Sequence, residues 1–359
     1  MSIKVVQSHG PERDEWMRRL DDFENSEVFA HPGYLGLFDQ PGHNSVCLFF
    51  ECDAGRAMYP ITLRDLRCLP YWEGEELFDA LSPPYGYGGP FVDGDYDTVC
   101  TQFFAAYNEW ANDNGLVSEY ITFSAKQNYA LPYPGDVVER MPCVVRATDM
   151  EQDPLWMDYK GSVRTDIKNA RRQGVTVEVD TTGQHRSEFL AIYESTMDRR
   201  QAAQSYRMDN DFLARMEAAI PGYFSYFHAR HEGEIVSTEL VLISGDSTFF
   251  FRGGTFREKL RTRANLMLKH EIIEWSRQNG KRFYLLGAGN SETDALFKYK
   301  RAFSPRGVQP LRVGKWAAQP EACKRLEAAR SDYEQGLGNS WTPRTGFFPA
   351  YRAPGAIDA

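Results

Sequence analysis

The stretch Lys281–Ser304, which reads KRFYLLGAGNSETDALFKYKRAFS, decides how the second half of the chain is interpreted. Its short apolar run, FYLL, ends at Gly287 and predicts a buried strand. A turn, GAGN, follows, and Ser291 then has the spacing of a helix N-cap with Asp294 in the capping-box position. The predicted helix ends in three cations, Lys298, Lys300 and Arg301. Ligands often bind beyond the end of such a strand, although cations there also complement the helix dipole.

Bulk composition limits the class of protein. The 359 residues are enough for two cores, and the 42% hydrophobic content is ordinary for a soluble globular chain. The net charge of −9 argues against a general nucleic-acid binder but leaves room for a local basic face. None of the six cysteines forms a Cys-x-x-Cys pair, so we expect reduced thiols in a cytoplasmic protein. No apolar run predicts a signal peptide or a membrane span, and no residue spacing predicts a metal site.

The order of predicted elements indicates an α+β protein with mixed sheets and two lobes. We expect the first lobe over residues 1–150 and the second over 151–335, with the donor side in the second. A helix over Asp153–Gln173 is expected to join them, and a strand over Val308–Val313 to end the second sheet. Residues 336–359 are rich in glycine and proline and predict an irregular tail.

A second unusual stretch, Asp79–Asp93, interleaves three prolines and three glycines with aromatic residues in the order DALSPPYGYGGPFVD. Such a composition excludes a regular helix. Glycine permits close approach of a ligand to the backbone, and Tyr85 and Tyr87 offer a flat face and a hydroxyl. A tight structural loop is the alternative interpretation. Asp93 has an alternative of its own, as the N-cap of the following helix.

Three segments together resemble the Fem family. Residues 299–303, YKRAF, resemble the family's Phe-Lys-x-x-Phe motif, and residues 82–93 resemble its glycine- and proline-rich loop ending in an acidic residue. The segment from Arg164 to Gly174 resembles its Arg-x-x-Ile-x-x-Ala pattern. These proteins transfer amino acids from aminoacyl-tRNA to peptidoglycan precursors, or act in peptide natural-product pathways. The resemblance implies two tandem lobes of the GNAT-type N-acetyltransferase fold.

The resemblance also implies roles for particular residues. Lys300 would stabilise the oxyanion or the ribose leaving group, and Asp93 would act as the base if burial raised its pKa. The residues expected to bind substrate are Tyr85, Tyr87, Arg199, Phe251, Arg252 and Tyr299. The usual aromatic residue after the family's arginine is replaced by Ala202-Ala203, so the identity of the acceptor is open.

Two basic segments are candidates for contact with tRNA. Residues 160–172 carry five cations and one acid, a local charge of +4. Residues 257–263 occupy the position of the coenzyme A loop of the GNAT fold, yet no glycine follows Gly254 there. A solvated surface is the alternative interpretation for both. The candidate tRNA-binding residues are Arg164, Lys168, Arg171, Arg257, Lys259, Arg261 and Arg263.

The sequence therefore predicts an aminoacyltransferase that uses aminoacyl-tRNA and forms a peptide bond with a peptide or peptidoglycan-precursor-like acceptor. No cofactor is expected, and we expect a monomer. An acyl-CoA-dependent N-acyltransferase is the first alternative. A catalytically inactive binding module is the second.

Overall fold

A computed structural model describes residues 2–126, 132–289, 291 and 293–354. Asn290 of the predicted turn and residues 355–359 of the predicted tail lie outside this range. The strands are β1 (Lys4–Gln7), β2 (His43–Cys52), β3 (Gly55–Asp65), β4 (Phe78–Ser82), β5 (Phe91–Gly94), β6 (Leu116–Thr122), β7 (Asp136–Glu139), β8 (Cys143–Ala147), β9 (Thr176–Asp180), β10 (Phe224–His231), β11 (Glu234–Ile243), β12 (Ser247–Thr255), β13 (Phe283–Ala288), β14 (Val308–Gln309) and β15 (Arg312–Ala317). The helices are α1 (Glu12–Asp21), α2 (Pro32–Leu35), α3 (Tyr96–Asp113), α4 (Gln152–Asp158), α5 (Gly161–Arg172), α6 (Arg186–Arg200), α7 (Asn210–Ala219), α8 (Ala264–Gln278), α9 (Ala295–Arg301) and α10 (Pro320–Gly336).

The first compact unit comprises residues 1–140 and 312–359. Its sheet has the order β1-β2-β3-β4-β6-β15-β7, and β5 pairs with β3. Strands β4 and β6 are parallel, and helix α3 lies between them in sequence. Aromatic residues of α3, including Phe103 and Tyr107, are fully buried in the core of this unit. The aromatic side chains of α3 therefore form part of the core of this unit.

The second unit comprises residues 141–311. Its sheet has the order β14-β8-β13-β12-β11-β10-β9, and β12 and β13 are parallel with α8 between them in sequence. Leu268, Ile272 and Ile273 of α8 are buried in the core of this unit. Both units thus contain one parallel pair of strands with a long helix between them in sequence, and the other pairings between the strands described above are antiparallel. This repetition agrees with the two tandem lobes that the resemblance to the Fem family implies.

The division of the chain differs from the predicted boundaries. The strand expected over Val308–Val313 is two strands: β14 pairs with β8 in the second sheet, and β15 pairs with β6 and β7 in the first. The chain thus returns to the first unit at Arg312. The segment predicted as an irregular tail also packs there, because Tyr351 is fully buried and its hydroxyl lies 2.8 Å from the hydroxyl of Ser118.

Two helix predictions also need correction. The single helix expected over Asp153–Gln173 is broken at Tyr159 and Lys160, where the backbone is extended between α4 and α5. Ser291 does not cap α9; Asp294 is the N-cap and accepts a hydrogen bond from the backbone N–H of Phe297. In the described part of the chain, no helix has both the length and the apolar character needed to cross a membrane.

Candidate active site

The parallel pairing of β12 and β13 ends within the second sheet. It covers three residue pairs and stops at Phe249 and Leu285. Directly beyond that point both strands bulge: the register with β11 shifts around Phe251, and the register with β8 shifts around Leu286. Bulges re-aim side chains and end strand pairing, and they are common beside active sites. The sheet therefore has irregular backbone on two neighbouring strands at the same level.

Lys300 of α9 reaches this irregular region. Its side-chain nitrogen Nζ donates a hydrogen bond of 2.7 Å to the carbonyl oxygen of Ala288, in β13, and lies 5.1 Å from the ring centroid of Phe250, in β12. The residue is only 5% exposed. Burial, and next the charge of Lys269, lower the pKa of Lys300 from 10.5 to about 8. Such an ammonium group releases its proton more readily than an ordinary lysine.

A buried ion pair lies on the same aromatic ring. Nζ of Lys269 lies 4.6 Å from the ring centroid of Phe250 and donates hydrogen bonds of 2.7 and 2.6 Å to the two carboxylate oxygens of Glu239. It also donates one of 2.8 Å to the hydroxyl of Tyr284, which is itself hydrogen-bonded to Glu239. Burial lowers the pKa of Lys269, and Glu239 opposes that shift. Two lysine side chains therefore share one phenyl ring, and Lys269 has a bidentate carboxylate partner.

The glycines before α9 have a structural reason. Gly287 has a φ of +82°, a conformation that side chains rarely adopt. At Gly289 a Cβ atom would lie 2.8 Å from both carboxylate oxygens of Asp294. The missing side chain lets the capping aspartate approach the turn, which fixes the start of α9 and hence the place of Lys300.

Two further candidate residues are found at the second half of β12: Arg252 belongs to this strand, and Arg199 reaches it from α6. Nη1 of Arg199 donates a hydrogen bond of 3.0 Å to the carbonyl oxygen of Thr255. The guanidinium of Arg252 lies 4.8 Å from the ring centroid of Phe251, which is buried. Burial and the nearby charges of other arginines lower the pKa of Arg199. Arginine remains a cation after such a shift, so both guanidiniums can attract an anion.

Tyr299 occupies a structural position that the sequence did not predict. Its hydroxyl donates a hydrogen bond of 3.1 Å to the carbonyl oxygen of Asn265, and its ring packs edge-on against Phe303 at 5.5 Å. Burial raises its pKa far above the ordinary value. Tyr299 thus joins α9 to the first turn of α8. Its role as a substrate-binding residue stays a prediction.

The candidate residues of the first unit are Tyr85, Tyr87 and Asp93. The ring of Tyr85 is 38% exposed and stacks on Phe38 at 6.3 Å, and Tyr87 packs edge-on against Phe29 at 5.5 Å. Tyr34 packs edge-on against both Phe29 and Phe38 at 5.3 Å, so both tyrosines belong to one aromatic cluster.

Asp93 differs from its prediction in two respects. Its side chain is 57% exposed and accepts a hydrogen bond of 3.0 Å from Arg56, so the burial on which its role as a base was conditioned is absent. It is also not the helix cap proposed as the alternative. Asp95 is the N-cap of α3, where it accepts a hydrogen bond of 2.9 Å from the backbone N–H of Thr98.

The seven cations predicted to contact tRNA have different environments. The side chain of Arg164 donates two hydrogen bonds of 2.7 Å to carbonyl oxygens at the end of α4, and so closes the break before α5. Lys259 pairs with Glu234 at 3.1 Å, and Arg171 pairs with Glu271 at 3.5 Å. Lys168 lies 5.9 Å from the ring of Trp156, and Arg257 is exposed. Arg261 and Arg263, in contrast, line one groove.

The Lys269–Glu239 pair was not predicted, although the sequence carries a signal for it. Lys269 is three residues after Leu266 and three before Ile272, so it falls on the inward stripe of α8. Glu239 is the one acid within the apolar stretch from Ile235 to Ile243. A charge on a core-facing stripe usually has a buried partner, and two such charges in adjacent elements are candidates for each other.

The comparisons with known proteins agree with this architecture. Residues 158–301, from the end of α4 to the end of α9, match the family model described as an acetyltransferase (GNAT) domain. The matched segment includes Glu239, Lys269 and Lys300, and it supports activity of the acyltransferase type. No curated protein matches the chain.

Solved structures extend the similarity over both units. The structure of FemX is 12% identical with a TM-score of 0.66, covering 89% of this chain and 98% of that one. The C-terminal domain of an Agrobacterium fabrum protein described as a lysylphosphatidylglycerol synthetase is 13% identical, with a TM-score of 0.52 and coverage of 84% and 92%. L-PGS from Bacillus licheniformis is 11% identical, with a TM-score of 0.52 and coverage of 91% and 98%. At identities this low, the structural similarity shows a shared fold and no more. It confirms the predicted Fem-like tandem GNAT architecture.

Proposed function

We propose that this chain is an aminoacyltransferase that moves an amino acid from aminoacyl-tRNA to an amine of a peptide or cell-wall-precursor-like acceptor. The observation that carries the proposal is the buried ammonium of Lys300, hydrogen-bonded to Ala288 where β12 and β13 separate. A second support is the segment 257–262, which forms a cationic 3-10 helix in place of a glycine loop. The similarity to FemX agrees with this choice at the level of fold.

The reaction needs one proton transfer to the leaving group and stabilisation of one oxyanion. The neutral amine attacks the ester carbonyl carbon, the new C–N bond forms, and negative charge develops on the carbonyl oxygen. The C–O bond to the ribose then breaks, and the ribose oxygen takes a proton. Lys300 donates a hydrogen bond to the oxyanion and then its proton to the ribose oxygen. The neutral lysine recovers a proton from the nitrogen of the new amide, so the step balances.

On the acceptor side, the guanidiniums of Arg199 and Arg252 bind an anionic group, beside the buried ring of Phe251. In the first unit, Tyr85 and Tyr87 stay predicted substrate-binding residues. Asp93 stays the candidate base of the first unit. Because its carboxylate already binds Arg56, an acceptor ammonium group must compete with that arginine before Asp93 can take its proton.

The acyl-CoA-dependent alternative has one observation in its favour. Helix α8 follows β12 after a short connection, and a helix start in this place is what a coenzyme A site requires. The backbone N–H of Ala264, however, already donates a hydrogen bond of 3.2 Å to the hydroxyl of Thr262. Against it, Arg263 stands where glycine would allow the closest approach of a diphosphate.

Replacement of Lys300 by methionine tests the proposal. We expect transfer of the aminoacyl group to fall about 10²–10³-fold, because both oxyanion stabilisation and acid catalysis are lost. Lys298→Met is the matched control, since Lys298 is exposed on the same helix. Equal activity in the two variants would contradict the role of Lys300. Absence of transfer by the unmodified chain would favour the inactive binding module.

A further inference from the structure

A groove of about 380 Å³ in the second unit has no role in the reaction described above. Its lining residues, which together we call the arginine groove, are Asp166, Asn169, Arg172, Gln173, Arg261 and Arg263. Three of them belong to α5 and one is the residue after it, and two come from the segment before α8. Three arginines and one aspartate give the groove a formal charge of +2.

The arginines of the groove differ in how strongly they are held. Nη2 of Arg172 donates a hydrogen bond of 2.8 Å to the amide oxygen of Asn169, which orients its guanidinium. Nε of Arg263 lies 3.3 Å from Asp166, and both side chains are partly exposed. Arg261 is exposed, and within the described part of the chain no carboxylate lies within 4.0 Å of it. Two or three guanidiniums can therefore turn toward one anion.

The backbone of Arg263 is a second, independent observation. This residue has a φ of +60° and a ψ of +19°, the left-handed conformation, at the N-cap position of α8. Arginine in this conformation costs on the order of 1 kcal/mol that glycine would not cost. The chain nevertheless has an arginine there, with its side chain lining the groove. Its N-cap position also puts the partial positive charge of the start of α8 nearby.

We infer that the arginine groove binds a backbone phosphate of the RNA donor, away from the reacting ester. This inference rests on the proposed function. Arginine forks match phosphate oxygens in geometry, and groups that line the groove from α5 add amide donors. The six lining residues named above are all polar, and none of them has an aromatic or aliphatic side chain to hold an adenine ring. A phosphodiester of a nucleic-acid strand suits such a site better than a complete nucleotide such as coenzyme A.

The test measures binding of uncharged tRNA by fluorescence anisotropy, so it does not depend on transfer. For Arg261→Ala/Arg263→Gly we expect roughly tenfold weaker binding near 0.1 M salt, and a slope of log affinity against log salt shallower by about 1–2. Arg344→Ala, an exposed arginine of the first unit, is the control and should bind tRNA like the unmodified chain. Asp166→Asn removes the one carboxylate of the groove and should tighten binding severalfold.

Folding and function are separated by further readouts. Glycine relieves the backbone of Arg263, so the double variant should keep its thermal midpoint, and the gain in Asp166→Asn cannot arise from misfolding. Equal tRNA affinity of the double variant and the Arg344 control would overturn the inference. Loss of coenzyme A binding with unchanged tRNA binding would overturn it too and identify the other phosphate source. Groove-dependent tRNA binding without any transfer would support the groove and refute the proposed function.

Discussion

The lowered pKa of Lys300 leads to a prediction about the pH dependence of transfer. If the ammonium form of Lys300 is required, activity follows the fraction of that form. With a pKa of about 8, about half of the enzyme is active at pH 8 and about one tenth at pH 9. A lysine with the ordinary value of 10.5 would remain almost fully charged at pH 9. The structure therefore predicts a roughly tenfold difference at that pH, with activity lost as pH rises.

The assay is single-turnover transfer from a charged tRNA between pH 6.5 and 9.5, with the rate without enzyme subtracted at each pH. Hydroxylamine serves as the acceptor because its nitrogen is already neutral at pH 7. Lys300→Arg is the informative variant, since arginine keeps its charge over this range. It should be slower at pH 7 but should lack the loss near pH 8.

Competitive acetylation of Lys300, read by peptide mass spectrometry, measures the same pKa without any donor. A pKa above 10 by this method would refute the reasoning from burial. A decline near pH 8 that persists in Lys300→Arg would show that another group causes it.

Three further predictions test other parts of the structure. The double variant Lys269→Met/Glu239→Gln removes both charges next to Lys300. Because Lys269 lowers the pKa of Lys300 more than Glu239 raises it, the pKa of Lys300 measured by acetylation should rise. Glu119 is fully buried among three tyrosine hydroxyls at 2.7 to 3.0 Å, and burial raises its pKa from 4.5 to about 7. The folded state then holds the extra proton, so Glu119 contributes roughly 3 kcal/mol of stability below pH 4.5 that is lost as pH rises through 7. In Glu119→Gln the free energy of unfolding should therefore depend less on pH over that range. Tyr351→Ala should lower the free energy of unfolding by about 3–5 kcal/mol, measured in denaturant.

Each of these predictions has a result that would contradict it. An unchanged or lower pKa of Lys300 in the double variant would exclude coupling across the ring of Phe250. If the free energy of unfolding depended on pH equally in Glu119→Gln and in the unmodified chain, Glu119 would have to stay ionised. A loss below 1 kcal/mol in Tyr351→Ala would show that the C-terminal segment contributes little to the first unit; Tyr351→Phe separates the hydroxyl from the ring.

The local sequence was sufficient to predict the parts of the site that are close together in the chain. The strand that ends near Gly287 and the helix that carries Lys300 follow from local apolar patterns, although the N-cap is Asp294 and not the predicted Ser291. The ion pair of Lys269 and Glu239 joins residues 30 apart, so its existence depends on which strand lies under α8. A sequence pattern gives the inward stripe of a helix but does not give the residue opposite it.

The domain boundary was harder to predict for a related reason. Strands β14 and β15 are separated by only two residues, Pro310 and Leu311. Hydrophobicity alone makes them one strand, yet they belong to different sheets. Arg164 shows the same limit for function. Its contact with tRNA stays a prediction. The sequence did not show that the break between α4 and α5 leaves carbonyl oxygens that the guanidinium of Arg164 binds.

Donor dependence is the most direct test of the proposed reaction. The protein would be incubated with a mixed pool of charged tRNA, and separately with acetyl-CoA, each with an extract containing amine acceptors. We expect transfer of one amino acid that is abolished by RNase and reduced in Lys300→Met. Turnover of acetyl-CoA, with no RNase-sensitive transfer, would contradict the account and would make the chain an acyl-CoA-dependent N-acyltransferase.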